Sequence, residues 1–354
     1  MERLVGFEQS LYGDNSYDEN LEMVDVDFCV DRLVQFPIFR PHLIQKAIKL
    51  CGKYCNDRKF REEVLKKSIY KCPVLLYRLY TVGIFDIQEI QPFFADKEIY
   101  FACYYFRKGI KDFDKIIAQK EKPHSMDCSM LENENEIDLM IEFGFVPYTI
   151  EYCLKYDDID TLQGMMSLTL DNIGGKAKWS PFEWSKKPDQ LDFLSFSGYF
   201  GSVKCFKHLL LNGAKPERML SSIVICSGNA ELFHLCNSSN ESLYQNISSA
   251  AQFNQFAFVK YFVENQIKDN NIADYSNALL NATQNGHLCM VKYLIKQGAE
   301  VNSRVNDMTN LHWAAAHGYL SIVELLVNNS ADLSAKNMFV NHLIPIASLF
   351  TGQQ

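Results

Sequence analysis

The chain has 354 residues, 47% of them hydrophobic and 22% charged, with a formal net charge of −8. This balance excludes an intrinsically disordered chain, and the length suits two or three compact domains or one extended array. No run approaches the ~18 consecutive apolar residues of a transmembrane helix, and the acidic net charge disfavours bulk attraction to nucleic acid or anionic membrane.

Residues 1–27 begin "MERLVGFEQSLYGDNSYDEN", without the basic start and long apolar core of a signal peptide. They are expected to be poorly ordered. The chain is expected to be soluble and cytoplasmic, with the nucleus as the alternative. Eleven cysteines, scattered singly, read as reduced thiols packed as small core residues rather than as a disulfide framework.

Residues 28–145 read as helices throughout, in degenerate pairs. In "HLIQKAIKLCGKYC" (42–55), Ile44, Ala47, Ile48, Cys51 and Cys55 share one stripe. Cys51 and Cys55 are spaced Cys-x3-Cys with only His42 nearby; a zinc site needs about four ligands, so core packing is expected. Residues 40–78 hold eleven Lys/Arg against Asp57, Glu62 and Glu63. This block is the alternative binding surface, for nucleic acid or another anionic partner, although solvated helix faces are the ordinary reading of such runs. "KEIYFACYYFRKGIKDFDKII" (97–117) reads as a helical pair broken at Gly109, with Ile110, Phe113, Ile116 and Ile117 on its second stripe. Tyr100, Phe101, Tyr104, Tyr105 and Phe106 surround the first helix on all sides, which points to burial rather than to a base-stacking platform.

Residues 146–190 read as a degenerate repeat carrying an insertion. Residues 132–160 hold nine acids and only Lys155; Asp157, Asp158 and Asp160 read as helix-terminus charge. In "TIEYCLKYDDIDTLQGMM" (149–166), Cys153, Asp157, Ile159, Leu162 and Met165 take the register of Ala314, Gly318, Leu320, Val323 and Leu326. From Cys153 to Ser197 is 44 residues, a surplus of about eleven over a ~33-residue repeat. The surplus contains "NIGGKAKWSPFEWSKKP" (172–188). Its Trp179 and Trp184 are expected to fold back over the joint between repeats, a partner-binding tip being the alternative. Gly174-Gly175 lacks the Lys and Ser/Thr of a phosphate loop.

Residues 191–347 show internal repetition. "NALLNATQNGHLCMVKYLIKQGAEVN" (277–302) matches "TNLHWAAAHGYLSIVELLVNNSADLS" (309–334) at a spacing of 32, placing Gly286 on Gly318, Val291 on Val323 and Leu294 on Leu326. "SSAAQFNQFAFVKYFVENQ" (248–266) and "SFSGYFGSVKCFKHLLLNGA" (195–214) join the register, with a unit of only 26–27 residues between them. Each unit reads as helix–turn–helix, with a glycine such as Gly286 ending the first helix. Alone, such a pair exposes an apolar stripe, so it must stack on neighbours.

The pattern resembles the ankyrin repeat, whose hallmark is Thr-Pro-Leu-His-x-Ala-Ala-x-x-Gly, then Val-Val-x-x-Leu-Leu, then Gly-Ala. Thr309, Leu311, His312, Ala314, Ala315, Gly318, Val323, Leu325, Leu326 and Ala331 match it; Asn310 replaces the proline and Ser330 the second glycine. The stretch from Asn302 to Thr309 is one residue shorter than the usual hairpin connection, and the 26–27-residue units leave little room for a hairpin. "WSPFEWS" followed by "LDFLSFSGYFGSVKCFKHLLLNG" is similar to the expanded ankyrin family of trichomonad parasites. The resemblance implies an all-α, ankyrin-type α-solenoid of stacked helix–turn–helix units. It also implies that the Thr309 hydroxyl and the His312 ring bond each other and nearby backbone, a structural role shared with Gly286 and Gly318.

No Gly-x-Ser-x-Gly, His-Glu-x-x-His, kinase, Cys-x-x-Cys or calcium-loop signature is present. The expectation is therefore a non-enzymatic protein–protein interaction scaffold with no catalytic residue, cofactor, metal, membrane or small-molecule substrate. Carried over by register, the partner-binding candidates are Gln284, Asn285, Gln297, Arg304, Asn306, Asp307, Ala316 and His317, with Lys336, Met338 and Phe339 at the last tip. "HLIPIASLFTGQQ" starts another apolar unit and stops before its second helix, with 348–354 as a tail; a shortened chain, a docking surface and a frayed end all fit it.

Overall fold

The computed structural model describes residues 11, 25–39, 44–120, 131, 133–168, 173–183, 190–217, 219–236, 243–266, 272–305 and 307–335. Of the 1–27 segment, only Leu11 and residues 25–27 fall within it. The chain divides into two compact units: residues 6–197 with 202–215, and residues 216–354 with 1–5 and 198–201.

The N-terminal unit is mainly helical among the described residues. Its first helices are α1 (Val26–Phe39), α2 (Ile44–Tyr54), α3 (Arg58–Lys71) and α4 (Pro73–Thr81). Then come α5 (Ile87–Ile90) with a 3-10 turn over Gln91–Ala95, α6 (Tyr100–Tyr105), α7 (Phe113–Ile117), α8 (Glu134–Phe143), α9 (Ile150–Tyr156) and α10 (Ile159–Leu168). Helices α11 (Phe193–Phe200) and α12 (Val203–Leu211) follow. Local chemistry sets the starts. Asp57 accepts from the Phe60 N–H at 2.8 Å, and Asp86 and Glu89 form a reciprocal capping box. Pro73 opens α4, where its missing N–H costs nothing. The α2 stripe buries Ala47, Ile48, Cys51 and Cys55, with Ile44 half-buried. Phe106 is the hub of the aromatic core, with ring centroids 5.6 Å from Tyr80, 5.9 Å from Phe94 and 6.0 Å from Tyr77. Tyr100, Tyr104 and Tyr105 are buried as well, so the dense aromatic run is core.

The break between α6 and α7 includes Gly109 and spans residues 106–112; its left-handed residue is Asp112, at φ 56°. Gly109 is small for a different reason, since a Cβ there would lie 3.3 Å from the Ile87 side chain.

The C-terminal unit contains α13 (Leu220–Ser227), α14 (Ala230–Cys236), α15 (Leu243–Gln252), α16 (Phe256–Gln266), α17 (Ile272–Gln284) and α18 (Leu288–Lys296). Strands β1 (Arg304–Val305) and β2 (Met308–Thr309) lead into α19 (Asn310–Ala316) and α20 (Leu320–Asn328). First helices pack on first helices, α13 on α15, α15 on α17 and α17 on α19, while each also packs on its own second helix. That is the serial stacking of an α-solenoid. The buried faces repeat too: Val259, Phe262 and Val263 on α16, Val291 and Leu294 on α18, Val323 and Leu326 on α20.

The turn within each pair has one geometry. Gly201, Gly228, Gly286 and Gly318 have φ of 76°, 75°, 71° and 71°. The following N–H then closes back on the first helix, His287 to the Ala282 carbonyl and Tyr319 to the Ala314 carbonyl, each at 2.9 Å. Asn254 (φ 54°) and Asp157 (φ 56°) hold the same position without glycine.

Candidate partner-binding surface

The hairpin before α19 closes despite its short connection: Arg304 pairs with Thr309 and Val305 with Met308, antiparallel, with Asp307 at φ 61° in the tight turn. Thr309 caps α19. Its N–H donates to His312 Nδ1 at 3.2 Å, its hydroxyl lies 2.7 Å from the same nitrogen, and the His312 N–H returns to Thr309 Oγ1 at 3.4 Å. Because Nδ1 accepts the backbone N–H, the neutral ring carries its proton on Nε2. Burial, with the nearby Arg304 charge adding to it, holds the His312 pKa below the ordinary histidine value. An imidazole kept neutral inside a cap is a fastener. Asn310, in the proline's place, donates to the Val301 carbonyl at 3.0 Å and so ties hairpin to helix.

A second set of bonds joins neighbouring pairs. His287, fully buried, lies with Nε2 3.0 Å from the Gln252 carbonyl at the end of α15. Gln255 donates to the Cys226 carbonyl of α13 at 2.8 Å, and Asn229 to the Gly201 carbonyl at 3.5 Å. Within the N-terminal unit, Ser202 donates to the Leu154 carbonyl in the same manner. Asn302 spans another joint, donating to the Ser330 carbonyl at 3.1 Å and accepting from the Asp332 N–H at 2.8 Å. Asp157 places its carboxylate 2.9 Å from the Cys205 N–H, capping α12 rather than its own helix.

These bonds occupy the joints and leave another face outward. Arg304, Asp307, Gln297, Ala316 and His317 are exposed, while Gln284 and Asn285 are half-buried at the end of α17. Asn285 donates to the Asn281 carbonyl at 2.7 Å. Gln297 ends the second helix of its pair, about 13 Å of helix away from the turn after Gln284, so these two candidates do not converge. Asn306, Lys336, Met338 and Phe339 lie outside the described residues. The sequence reading missed two neighbours of His317. Its ring lies 5.8 Å from Trp313 and 5.5 Å from Tyr319, the latter at an interplanar angle of 15°. The i, i+4 spacing from Trp313 to His317 was the available signal.

The insertion is a hairpin with a long tip. Lys176 bridges Asp192, the Ala177 N–H donates to the Leu191 carbonyl at 2.9 Å, and α11 follows as α19 follows β2. In this register Asp192 and Ser195 stand where Thr309 and His312 stand, and Asp192 accepts from the Ser195 N–H at 2.6 Å. Trp179 does fold back, 5.0 Å from Phe196; Trp184 lies outside the described residues.

Six of the eleven Lys/Arg of the 40–78 block are held in ion pairs. Arg58, Lys59, Arg61, Lys67, Lys71 and Arg78 pair with Glu62, Asp27, Glu89, Asp31, Asp31 and Glu142, at 2.8–3.4 Å. Burial pushes the thiol of Cys55 up to about 11 and that of Cys72 up to about 12, the state of core thiols rather than of ligands. Among the described residues no group of three or more His, Cys, Asp or Glu is placed to hold a metal ion, and no helix is long and apolar enough to cross a membrane.

The stacked pairs, turn glycines and hairpin-to-helix fastener define a repeat array. Residues 247–337 match the family model of ankyrin repeats in three copies, and this stretch is made of ankyrin repeats. Solved structures that match include the crystal structure of the human ASB11 ankyrin repeat domain, 18% identical at a TM-score of 0.39, covering 58% of this chain and 97% of that one. No curated protein matches. Ankyrin repeats are generally protein–protein interaction modules and typically non-enzymatic.

Proposed function

We propose that the chain is a non-catalytic scaffold that captures a protein partner on the hairpin tip and first-helix ends of its ankyrin segment. The observation that carries this is a division of labour among neighbouring side chains. Thr309, Asn310 and His312 are buried in the cap, whereas Arg304, Asp307, Ala316 and His317, a few residues away, are exposed. His317 adds stacked rings to that face, and aromatic anchors dominate interface energetics. The ion pairs across the 40–78 block count against the anionic-partner alternative, because a phosphate would compete with carboxylates already in place. The scattered single cysteines, buried or half-buried wherever they fall among the described residues, support a reducing, cytoplasmic setting.

The test is quantitative capture by the full chain with and without Arg304→Glu/Asp307→Lys. Partners held by the wild type should be lost by the variant, with helicity and melting unchanged. Equal capture by both would remove this surface from consideration.

A further inference from the structure

The last described pair, α19 and α20, is open where the two pairs before it are closed. At a spacing of 32, Ala315 stands on Thr283 and Ala251, Gly318 on Gly286 and Asn254, and Tyr319 on His287 and Gln255. All six residues of the earlier pairs are buried, whereas Ala315 and Tyr319 are half-buried and Gly318 is exposed. Leu320 shows the contrast most sharply: it is 54% exposed, and its counterpart Leu288 is 0% exposed. Stacking accounts for the difference. Helix α17 packs on α19 and α18 on α20, so the turn joining α17 to α18 is backed by the next pair. The turn joining α19 to α20 has no described pair beyond it. Leu333, just past α20, is 54% exposed as well. The last unit of an array ordinarily presents a polar outer face, and exposed leucines in this position mark a surface with an occupant.

We propose that this face docks the chain's own residues 341–350, which add one further first helix to the stack. That segment, "NHLIPIASLF", lies outside the described residues. Its tether has the right length. Ser303 lies seven residues before Asn310, the start of α19, and Ala335, on the same register, lies seven before His342. The local chemistry suits a helix at that point. Asn341 falls on the N-cap position of Thr309, and asparagine is among the best N-cap residues. Pro345 falls in the first turn, where proline is tolerated. Leu343 and Ile346 fall on the buried Leu311 and Ala314, and with Ala347 and Phe350 they form one helical stripe. Leu320 and Tyr319 supply the apolar surface for that stripe. Because the segment is tethered at Ala335, 4% exposed, its effective concentration at the face is high, and a second copy of the chain or a separate helix competes poorly.

The experiment is amide hydrogen exchange on the full chain in wild-type form and in two variants, Leu320→Asp on the face and Leu343→Asp/Ile346→Asp in the segment. In the wild type, the amides of residues 346–350 should exchange at least about tenfold more slowly than in a free peptide of the same sequence. Leu320→Asp should remove that protection and lower the melting temperature, and Leu320→Ala repeats this arm with a change too mild to unfold the pair. Leu343→Asp/Ile346→Asp should speed exchange in α19 and α20 while α13 and α14 keep wild-type rates. Exchange of 346–350 at the free-peptide rate in the wild type overturns the proposal and leaves the face to a separate partner. Protection that survives both Leu320 variants overturns it too, because the segment then packs elsewhere. So does protection that appears only as protein concentration rises, with a doubled mass in sedimentation, which assigns the face to a second copy of the chain.

Discussion

His287 reaches across a repeat joint to the carbonyl of Gln252, 3.0 Å away, and is fully buried there. Gln255 makes the corresponding bond one repeat earlier, to Cys226 at 2.8 Å. Each side chain satisfies a helix-end carbonyl that its own helix leaves open. His287→Ala and Gln255→Ala should therefore each destabilise the chain by ~1–3 kcal/mol, because a buried acceptor loses its donor. Urea denaturation checks this; an unchanged midpoint in both variants would show that the joints do not depend on these bonds.

Acid should loosen the cap on α19. Burial lowers the His312 pKa in the folded chain, while the unfolded ring titrates near its ordinary value of about 6.5. Between those two values the unfolded state binds more protons, so stability rises with pH. The stabilisation is complete above pH ~6.5 and is lost as pH falls through the folded pKa. Melting between pH 7.5 and 5 should show a slope that His312→Ala, already less stable at neutral pH, reduces. An identical slope in both proteins would assign the acid response to other groups.

Gly144 sits at φ 84°, and a Cβ there would lie 2.6 Å from Lys155 Nζ. Gly144→Ala combines a left-handed alanine with a clash at the ion pair of Lys155 and Glu183. A loss of at least ~1–3 kcal/mol is expected, read as a lower melting temperature; a variant as stable as the wild type would contradict the packing described.

Ser330 holds a left-handed conformation, φ 65°, where the repeat before it has Gly298 at φ 89°. Only its carbonyl contacts Asn302, and a glycine keeps that group. Ser330→Gly should stabilise the chain by up to ~1 kcal/mol. A loss of stability instead would mean that the serine side chain does work in the loop.

What the sequence made legible follows from which interactions leave a periodic mark. Turn glycines and apolar stripes recur at fixed spacing, so Gly286 and Gly318, Val291 and Val323 align by eye, and the Thr309–His312 pair stands out within a known hallmark. The joint bonds leave no such mark. Ser202, Asn229, Gln255 and His287 share one geometric task, donation to a carbonyl, that four different side chains perform. Asn254 and Asp157 take the left-handed turn without glycine, so those two repeats align through their apolar stripes rather than through the turn residue. The insertion's surplus length was visible, but its placement inside a hairpin rests on pairing between Lys176 and Asp192 across a gap that no local pattern records.

The central claim is that the C-terminal helix pairs are stable through their neighbours, and hydrogen exchange tests it most directly. With the full chain carrying His312→Ala, amide exchange should rise most in α19 and α20, less in α17 and α18, and least in α13 and α14, as nearest-neighbour coupling requires. A uniform rise from α13 to α20 would describe one cooperative globule and contradict the stacked array.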